Sequence, residues 1–197
     1  MKNLVEVKNL KKSYDLKEAV RGISFKIKDN EILGLLGPNG SGKTTTIGMM
    51  LGLLKPSNGE IIIDGKNIED NRIEILKKIN FISPYIELPK KLTVKQNLIV
   101  YGKLYSVPDI KKRIEYLSEK LRLEDLLNRI TGELSSGQKN RVSLAKALIN
   151  NPKVLLLDEP TASLDPEIAD FVRTFLENYK KEKKISILLA SHNMNEV

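Results

Sequence analysis

Short apolar runs alternate with turn residues in the first third of the chain, which is a pattern typical of β-strands. They predict strands at residues 4–7, 20–27, 31–36 and 60–64. Two later runs, residues 154–158 and 185–190, are almost wholly apolar. Strands buried on both faces have this composition, so the later runs predict a parallel sheet covered by helices.

Five segments of the chain show helical periodicity. Helices are predicted at residues 43–54, 94–105, 110–121, 138–149 and 167–180. No strand pattern interrupts residues 92–130. We interpret residues 92–130 as a helical subdomain inserted into an α/β core made of residues 1–91 and 131–197.

A glycine-rich segment between a predicted strand and a predicted helix carries the strongest chemical signal. Residues 37–44 fit the phosphate-loop pattern G-x-x-x-x-G-K-[ST] without a mismatch. In such a loop, glycines let backbone N–H groups approach phosphate oxygens, while Lys43 reaches the terminal phosphates and Thr44 holds Mg²⁺. The predicted ATP-binding residues are Gly37, Pro38, Asn39, Gly40, Ser41, Gly42, Lys43, Thr44 and Thr45.

Two further segments could serve the same nucleotide. Asp158 and Glu159 end a buried strand, at the sheet edge where open α/β sheets bind ligands. Asp158 is predicted to hold the metal, and Glu159 to orient or deprotonate the attacking water. Residues 134–138 lie at the start of a predicted helix and include Ser135. Ser135 is interpreted either as an ordinary N-cap or as part of a second phosphate-binding helix terminus.

Composition narrows the class of protein. Of 197 residues, 41% are apolar and 29% charged, and no apolar run approaches the ~18 residues of a membrane span. Cysteine is absent, which excludes disulfides and thiolate metal sites and is compatible with a cytoplasmic protein. The net charge of +8 comes from scattered lysines with acids nearby, and aromatic residues make up 5%. A solvated surface explains this charge better than a nucleic-acid interface.

Several motifs in order along the chain resemble the ATP-binding-cassette (ABC) ATPases. They are the phosphate loop, residues 134–138, residues 157–160, residues 163–165 and residues 191–192. The resemblance covers nearly the whole chain. It implies a P-loop NTPase of the α/β class, with a mostly parallel sheet core, an N-terminal antiparallel β portion and an inserted α-helical subdomain.

Further site residues follow from the resemblance alone. Cassette domains pair head to tail, so Ser135, Ser136, Gly137 and Gln138 would contact the ATP bound by a partner, and Ser163, Leu164 and Asp165 would form a loop between the two sites. His192 matches the histidine that contacts the γ-phosphate. Tyr14 matches the aromatic residue that stacks on adenine.

Two departures from the family pattern stand out. The position at which cassette domains carry a glutamine near Mg²⁺ is occupied by Pro84, which has no side-chain acceptor. The chain also ends soon after His192, where cassette domains usually continue, so we interpret it as a truncated or unusually short domain.

The resemblance implies a Mg²⁺-dependent ATPase subunit at the cytoplasmic face of the membrane, bound to a separate membrane-spanning subunit. The transporter type that it favours is an exporter or a drug- or lipid-type system. A soluble cassette ATPase acting on nucleic acid, the ribosome or cofactor assembly is the alternative. A non-hydrolysing regulatory module is a third possibility, raised by Pro84.

Overall fold

Two β-sheets and six α-helices form the part of the chain that the computed structural model describes, residues 3–15, 17–84, 87–162 and 164–193. The strands are β1 (Asn3–Tyr14), β2 (Lys17–Lys28), β3 (Ile32–Leu36), β4 (Asn58–Ile63), β5 (Lys66–Asn67), β6 (Ile79–Ile82), β7 (Val154–Asp158) and β8 (Ser186–Ser191). The helices are α1 (Lys43–Met50), α2 (Arg72–Leu76), α3 (Val94–Leu104), α4 (Ile110–Leu121), α5 (Ser136–Leu148) and α6 (Pro166–Lys183). Short 3-10 turns lie at Glu124–Leu126 and Thr131–Glu133.

The parallel sheet has the strand order β3-β8-β7-β6. Every residue of β7 and β8 is buried, as their continuous apolar composition predicts. Leu36 pairs with Ser191, Asp158 with Ala190, and Ile82 with Leu157. The carboxyl ends of all four strands therefore lie along one edge of the sheet, and the loops that leave them meet there.

The antiparallel sheet has the order β2-β1-β4-β5 and packs against the same core. Its apolar side chains, including Val5 and Ile27, share a cluster with Met49 and Met50 of α1 and with Leu188 of the parallel sheet. The second cluster joins α3, α4, α5 and α6 to the other face of the parallel sheet. The P-loop α/β fold class is thereby confirmed, with its antiparallel portion and inserted helices.

The helices between residues 92 and 130 have their own capping signals. Thr93 caps α3 in a reciprocal capping box with Gln96, and Asp109 caps α4 by accepting from the Lys112 N–H. The boundaries of a separate subdomain at residues 92–130 stay a prediction.

Helix α1 ends at Met50 rather than at residue 54, where the apolar pattern placed its end. Gly52 adopts φ 62°, the left-handed conformation that terminates helices. Its N–H bonds the Met49 carbonyl, and the Leu53 N–H bonds the Gly48 carbonyl, which together make a Schellman motif. Within the described residues, no helix combines the length and the apolar composition needed to cross a bilayer.

Candidate active site

The phosphate loop leaves β3 and enters α1 at the carboxyl edge of the parallel sheet. Gly40 and Gly42 have φ values of 82° and 94°, which glycine adopts without strain. A Cβ on Gly42 would lie 2.3 Å from the carbonyl oxygen of Ala19, so no larger residue fits there. Gly42 is the N-cap of α1 and provides no side-chain cap, and the first turn of α1 holds no acid. This helix terminus thus keeps its positive end for an anion.

The Lys43 side chain is folded back onto the loop. It is 8% exposed, and its ammonium donates hydrogen bonds to the carbonyl oxygens of Gly37 (2.7 Å) and Pro38 (3.2 Å). The same Nζ lies 3.7 Å from Glu159 Oε1. An incoming phosphate would find this charge already beside the loop, restrained by the backbone.

Thr44 and Asp158 meet although 114 residues separate them. Thr44 Oγ1 donates a 2.8 Å hydrogen bond to Asp158 Oδ2, while Asp158 Oδ1 is buried and has no hydrogen-bond partner in the structure of the described residues. Burial raises the pKa of the Asp158 carboxyl; the Thr44 hydrogen bond opposes this shift, and the nearby Glu159 charge adds to it. A hydroxyl beside a carboxylate with an unused buried oxygen is a donor set that suits Mg²⁺.

Glu159 connects the end of β7 to the end of β8. Its Oε2 lies 2.8 Å from His192 Nδ1 and accepts a hydrogen bond from the Ser191 hydroxyl (3.3 Å), and its side chain is 13% exposed. Its backbone N–H bonds the Ala190 carbonyl, at a φ of 50°. The His192 side chain is 52% exposed, so the histidine stands at the open side of the carboxylate.

Within residues 134–138, Ser135 is the N-cap of α5, as the capping interpretation predicts. The Ser135 hydroxyl accepts from the Gln138 N–H (3.3 Å), and Gln138 Oε1 accepts from the Ser135 N–H (3.0 Å), forming a capping box at the start of α5. Ser136 is exposed and borders a cleft of about 210 Å³. Gly137 packs close to Ile168 of α6. The role of these residues in binding a partner's ATP stays a prediction.

The same cleft brings four predicted regions together. It is lined by Ser136 from α5, Glu159 from the end of β7, Pro84 from the loop after β6, and Leu164. Leu164 is half-buried, and Asp165 is the exposed N-cap of α6. Ser163, predicted for the loop between two sites, lies outside the described residues.

Tyr14 lies at the end of β1, in the hairpin whose second strand, β2, lines a hollow beside the phosphate loop. It pairs with Lys17 across the hairpin and is 46% exposed, with Lys12 Nζ 5.0 Å from its ring centroid. The hollow, of about 430 Å³, is lined by the start of β2 and by Gly40 to Lys43 of the loop. Stacking of adenine on Tyr14 stays a prediction.

Asn140 and Lys146 of α5 make polar contacts that the sequence motifs did not predict. Asn140 Nδ2 donates to the Pro160 carbonyl (2.7 Å), and the buried Lys146 donates to the Phe81 carbonyl (3.3 Å). Both acceptors are backbone atoms of other elements, so neither contact has a signature in the local sequence.

Pro84 offers a direct experiment, because it stands exposed in the cleft that Glu159 also lines. We expect Pro84→Gln to leave ATP affinity unchanged and to alter the rate of hydrolysis by a factor of about 3 or more, since an amide oxygen adds a ligand for metal or water. Steady-state turnover and binding of a fluorescent ATP analogue measure the two effects separately. Pro84→Ala, which adds no acceptor, is the control. An unchanged turnover in Pro84→Gln would mean that this position does not matter.

Comparison with known proteins supplies the family. A family model described as ABC transporter matches residues 20–162. The chain is 39% identical over 183 residues to the ABC transporter ATP-binding protein NatA of Bacillus subtilis strain 168, covering 91% of the chain and 74% of the relative. It is 38% identical over 194 residues to the Nod factor export ATP-binding protein I of Paraburkholderia xenovorans strain LB400, covering 98% of the chain but 64% of that relative's length.

Solved structures agree with these relatives. The dimeric structure of MJ0796, a bacterial ABC transporter cassette, matches with a TM-score of 0.87 at 28% identity, covering 98% of this chain and 89% of that one. A second dimeric structure of MJ0796, in a post-hydrolysis state bound to ADP and Pi, also matches with a TM-score of 0.87, at 29% identity and the same coverage. On sequence and structure alike, the chain belongs to the ABC transporter family of ATP-binding proteins.

Proposed function

We propose that this chain is the ATP-binding and ATP-hydrolysing subunit of an exporter-type transporter. The observation that carries the proposal is that Asp158, Glu159 and His192 lie beside Lys43 and Thr44 of the phosphate loop at one sheet edge. A loop that only bound a nucleotide would not need a carboxylate held by a histidine beside its lysine. These groups together supply phosphate binding, metal binding and proton transfer.

The residues divide the work of hydrolysis. The phosphate loop and the Lys43 ammonium hold the β- and γ-phosphates, and Tyr14 supports the adenine. Thr44 and Asp158 would hold Mg²⁺, which would supply charge neutralisation at the phosphates. Glu159 orients the water that attacks the γ-phosphorus and accepts its proton. His192, whose Nδ1 lies 2.8 Å from Glu159 and whose side chain is 52% exposed, contacts the γ-phosphate.

A single chain leaves the nucleotide open on one side. We infer that a second copy closes it head to tail, with Ser135 to Gln138 of each chain facing the ATP of the other. The dimeric MJ0796 structures support this arrangement. ATP then holds the dimer together and hydrolysis releases it, which is a conformational equilibrium driven by differential affinity.

Work on a membrane requires a partner that spans it. The relative named for Nod factor export supports the exporter assignment. We propose that the chain binds peripherally, at the cytoplasmic face, to a separate membrane subunit.

Affinity purification of the tagged chain from its native host, after mild cross-linking in detergent, tests the proposal. We expect a multi-span membrane protein to be recovered together with the chain. The untagged strain controls for adventitious capture. Recovery of ribosomes or nucleic acid with no membrane protein would contradict the transporter assignment and favour a soluble cassette ATPase.

A further inference from the structure

Lys146 of α5 is a buried lysine that the mechanism above does not use. It is 8% exposed, and its ammonium donates one hydrogen bond, of 3.3 Å, to the carbonyl oxygen of Phe81. The Nζ also lies 4.9 Å from the ring centroid of Phe81 and 5.4 Å from that of Tyr101. Within the described part of the chain, no carboxylate forms an ion pair with it.

Stability alone does not account for a lysine in this place. Burial of an ammonium without a counter-charge disfavours the folded state, and it lowers the pKa of Lys146 to about 8. One backbone hydrogen bond and two aromatic contacts offset a part of that desolvation. An unbranched apolar side chain would fill the same space without the desolvation cost.

The acceptor of this hydrogen bond lies in β6, two residues before the loop that carries Pro84. Phe81 is the third of the four residues of β6, and Ser83 and Pro84 follow the strand end. A void of about 10 Å³ beside Lys146 is lined by Ser83, Leu88 and Ser143, which also line the cleft that Glu159 borders. Lys146 therefore lies behind the part of the cleft wall that Ser83 and Leu88 form, and Glu159 lines the same cleft.

The same helix contacts the Glu159 side of the cleft. Asn140 of α5 donates a 2.7 Å hydrogen bond to the carbonyl oxygen of Pro160, the residue after Glu159. One helix thus holds both loops, through Asn140 on one side and Lys146 on the other. That helix begins at Ser135 and Ser136, the segment expected to meet a partner's nucleotide.

We propose that Lys146 is a positioning residue for ATP turnover: its buried ammonium holds the end of β6, and with it the loop carrying Pro84, at a fixed distance from Glu159. This inference rests on the proposed ATPase function. Because α5 contacts Pro160 through Asn140 and Phe81 through Lys146, loss of the Lys146 hydrogen bond would remove one of the contacts that fix the end of β6 relative to Glu159. Small misplacements around a reacting group reduce rates strongly.

Lys146→Met tests the inference, since methionine keeps the length and apolar body of the side chain and removes the ammonium. We expect the variant to unfold at the same or a higher temperature than the wild type and to bind ATP with unchanged affinity. Its kcat is expected to fall roughly 10-fold at unchanged KM. Lys146→Arg, which retains a charged donor, should recover most of the lost kcat. Lys112→Met, on a side chain that is 82% exposed, is the matched control and should behave as the wild type.

Each contrary outcome has a distinct meaning. Wild-type kcat in Lys146→Met would overturn the inference and leave the proposed function intact. A kcat that falls together with melting temperature and ATP affinity would assign Lys146 a structural role instead, as would a failure of Lys146→Arg to restore kcat. If the wild-type chain turns over ATP no faster than Glu159→Gln, the proposed function fails, and this inference fails with it.

Discussion

Glu159→Gln is expected to slow ATP hydrolysis by about 100-fold or more while ATP still binds. Glutamine keeps the shape of the side chain and a carbonyl oxygen, but its amide accepts no proton from water. The carboxylate is held by His192 and Ser191 and is 13% exposed, so bulk water is poorly placed to replace it as the base. Single-turnover hydrolysis of radiolabelled ATP measures the rate directly.

The same variant should accumulate as an ATP-bound dimer, because the step that separates the two copies is blocked. Size-exclusion chromatography with light scattering would then detect a species of twice the monomer mass in the presence of ATP and Mg²⁺. Glu87→Gln is the matched control, since Glu87 lines the same cleft but is exposed and paired with Lys90. A Glu159→Gln variant that turns over ATP at the wild-type rate would remove Glu159 from the chemistry.

The parallel sheet could be predicted because its strands have no solvent face. β7 and β8 are apolar along almost their whole length, which a surface strand or an amphipathic helix would not tolerate. Short elements were harder to predict. The five-residue α2 and the two-residue β5 contain too few positions to establish a period, and the end of α1 depends on the backbone conformation of Gly52.

The position of the site depends on topology, which motif spacing leaves open. Thr44 and Asp158 are in contact because β3 and β7 run parallel within one sheet and end at the same edge. Lys146 and Asn140 left no trace in the pattern, since their acceptors are carbonyl oxygens of Phe81 and Pro160, and every residue type has a carbonyl. Polar residues of an amphipathic helix become interpretable only when the element packed against them is known.

A mixture of two inactive variants is expected to regain ATPase activity if each ATP is shared between two chains. Lys43→Ala removes the buried ammonium of the phosphate loop and leaves residues 135–138 unchanged. Ser136→Glu instead leaves the phosphate loop unchanged and alters the segment at residues 135–138. A carboxylate at the exposed first residue of α5 suits the positive helix end, so the fold is retained, but it repels the γ-phosphate of a partner's ATP.

The expected size of the effect follows from the symmetry of a two-fold dimer. Equal amounts that exchange freely give half heterodimers, and each heterodimer has one complete site out of two, so the mixture should reach roughly a quarter of wild-type activity. Either variant alone should fall by about 100-fold or more, because the charge-assisted contacts it lacks contribute several kcal/mol to binding and to the transition state.

The control for this experiment is a chain that carries both substitutions. Mixed with either single variant, it can form no complete shared site, so these mixtures should stay inactive. Binding of ATP to Ser136→Glu, measured with a fluorescent analogue, verifies that its own phosphate loop is intact. If the Lys43→Ala and Ser136→Glu chains still dimerise with each other but stay as inactive as each one alone, residues 135–138 do not complete a partner's site. The capping box that Ser135 and Gln138 form would then be the whole function of that segment.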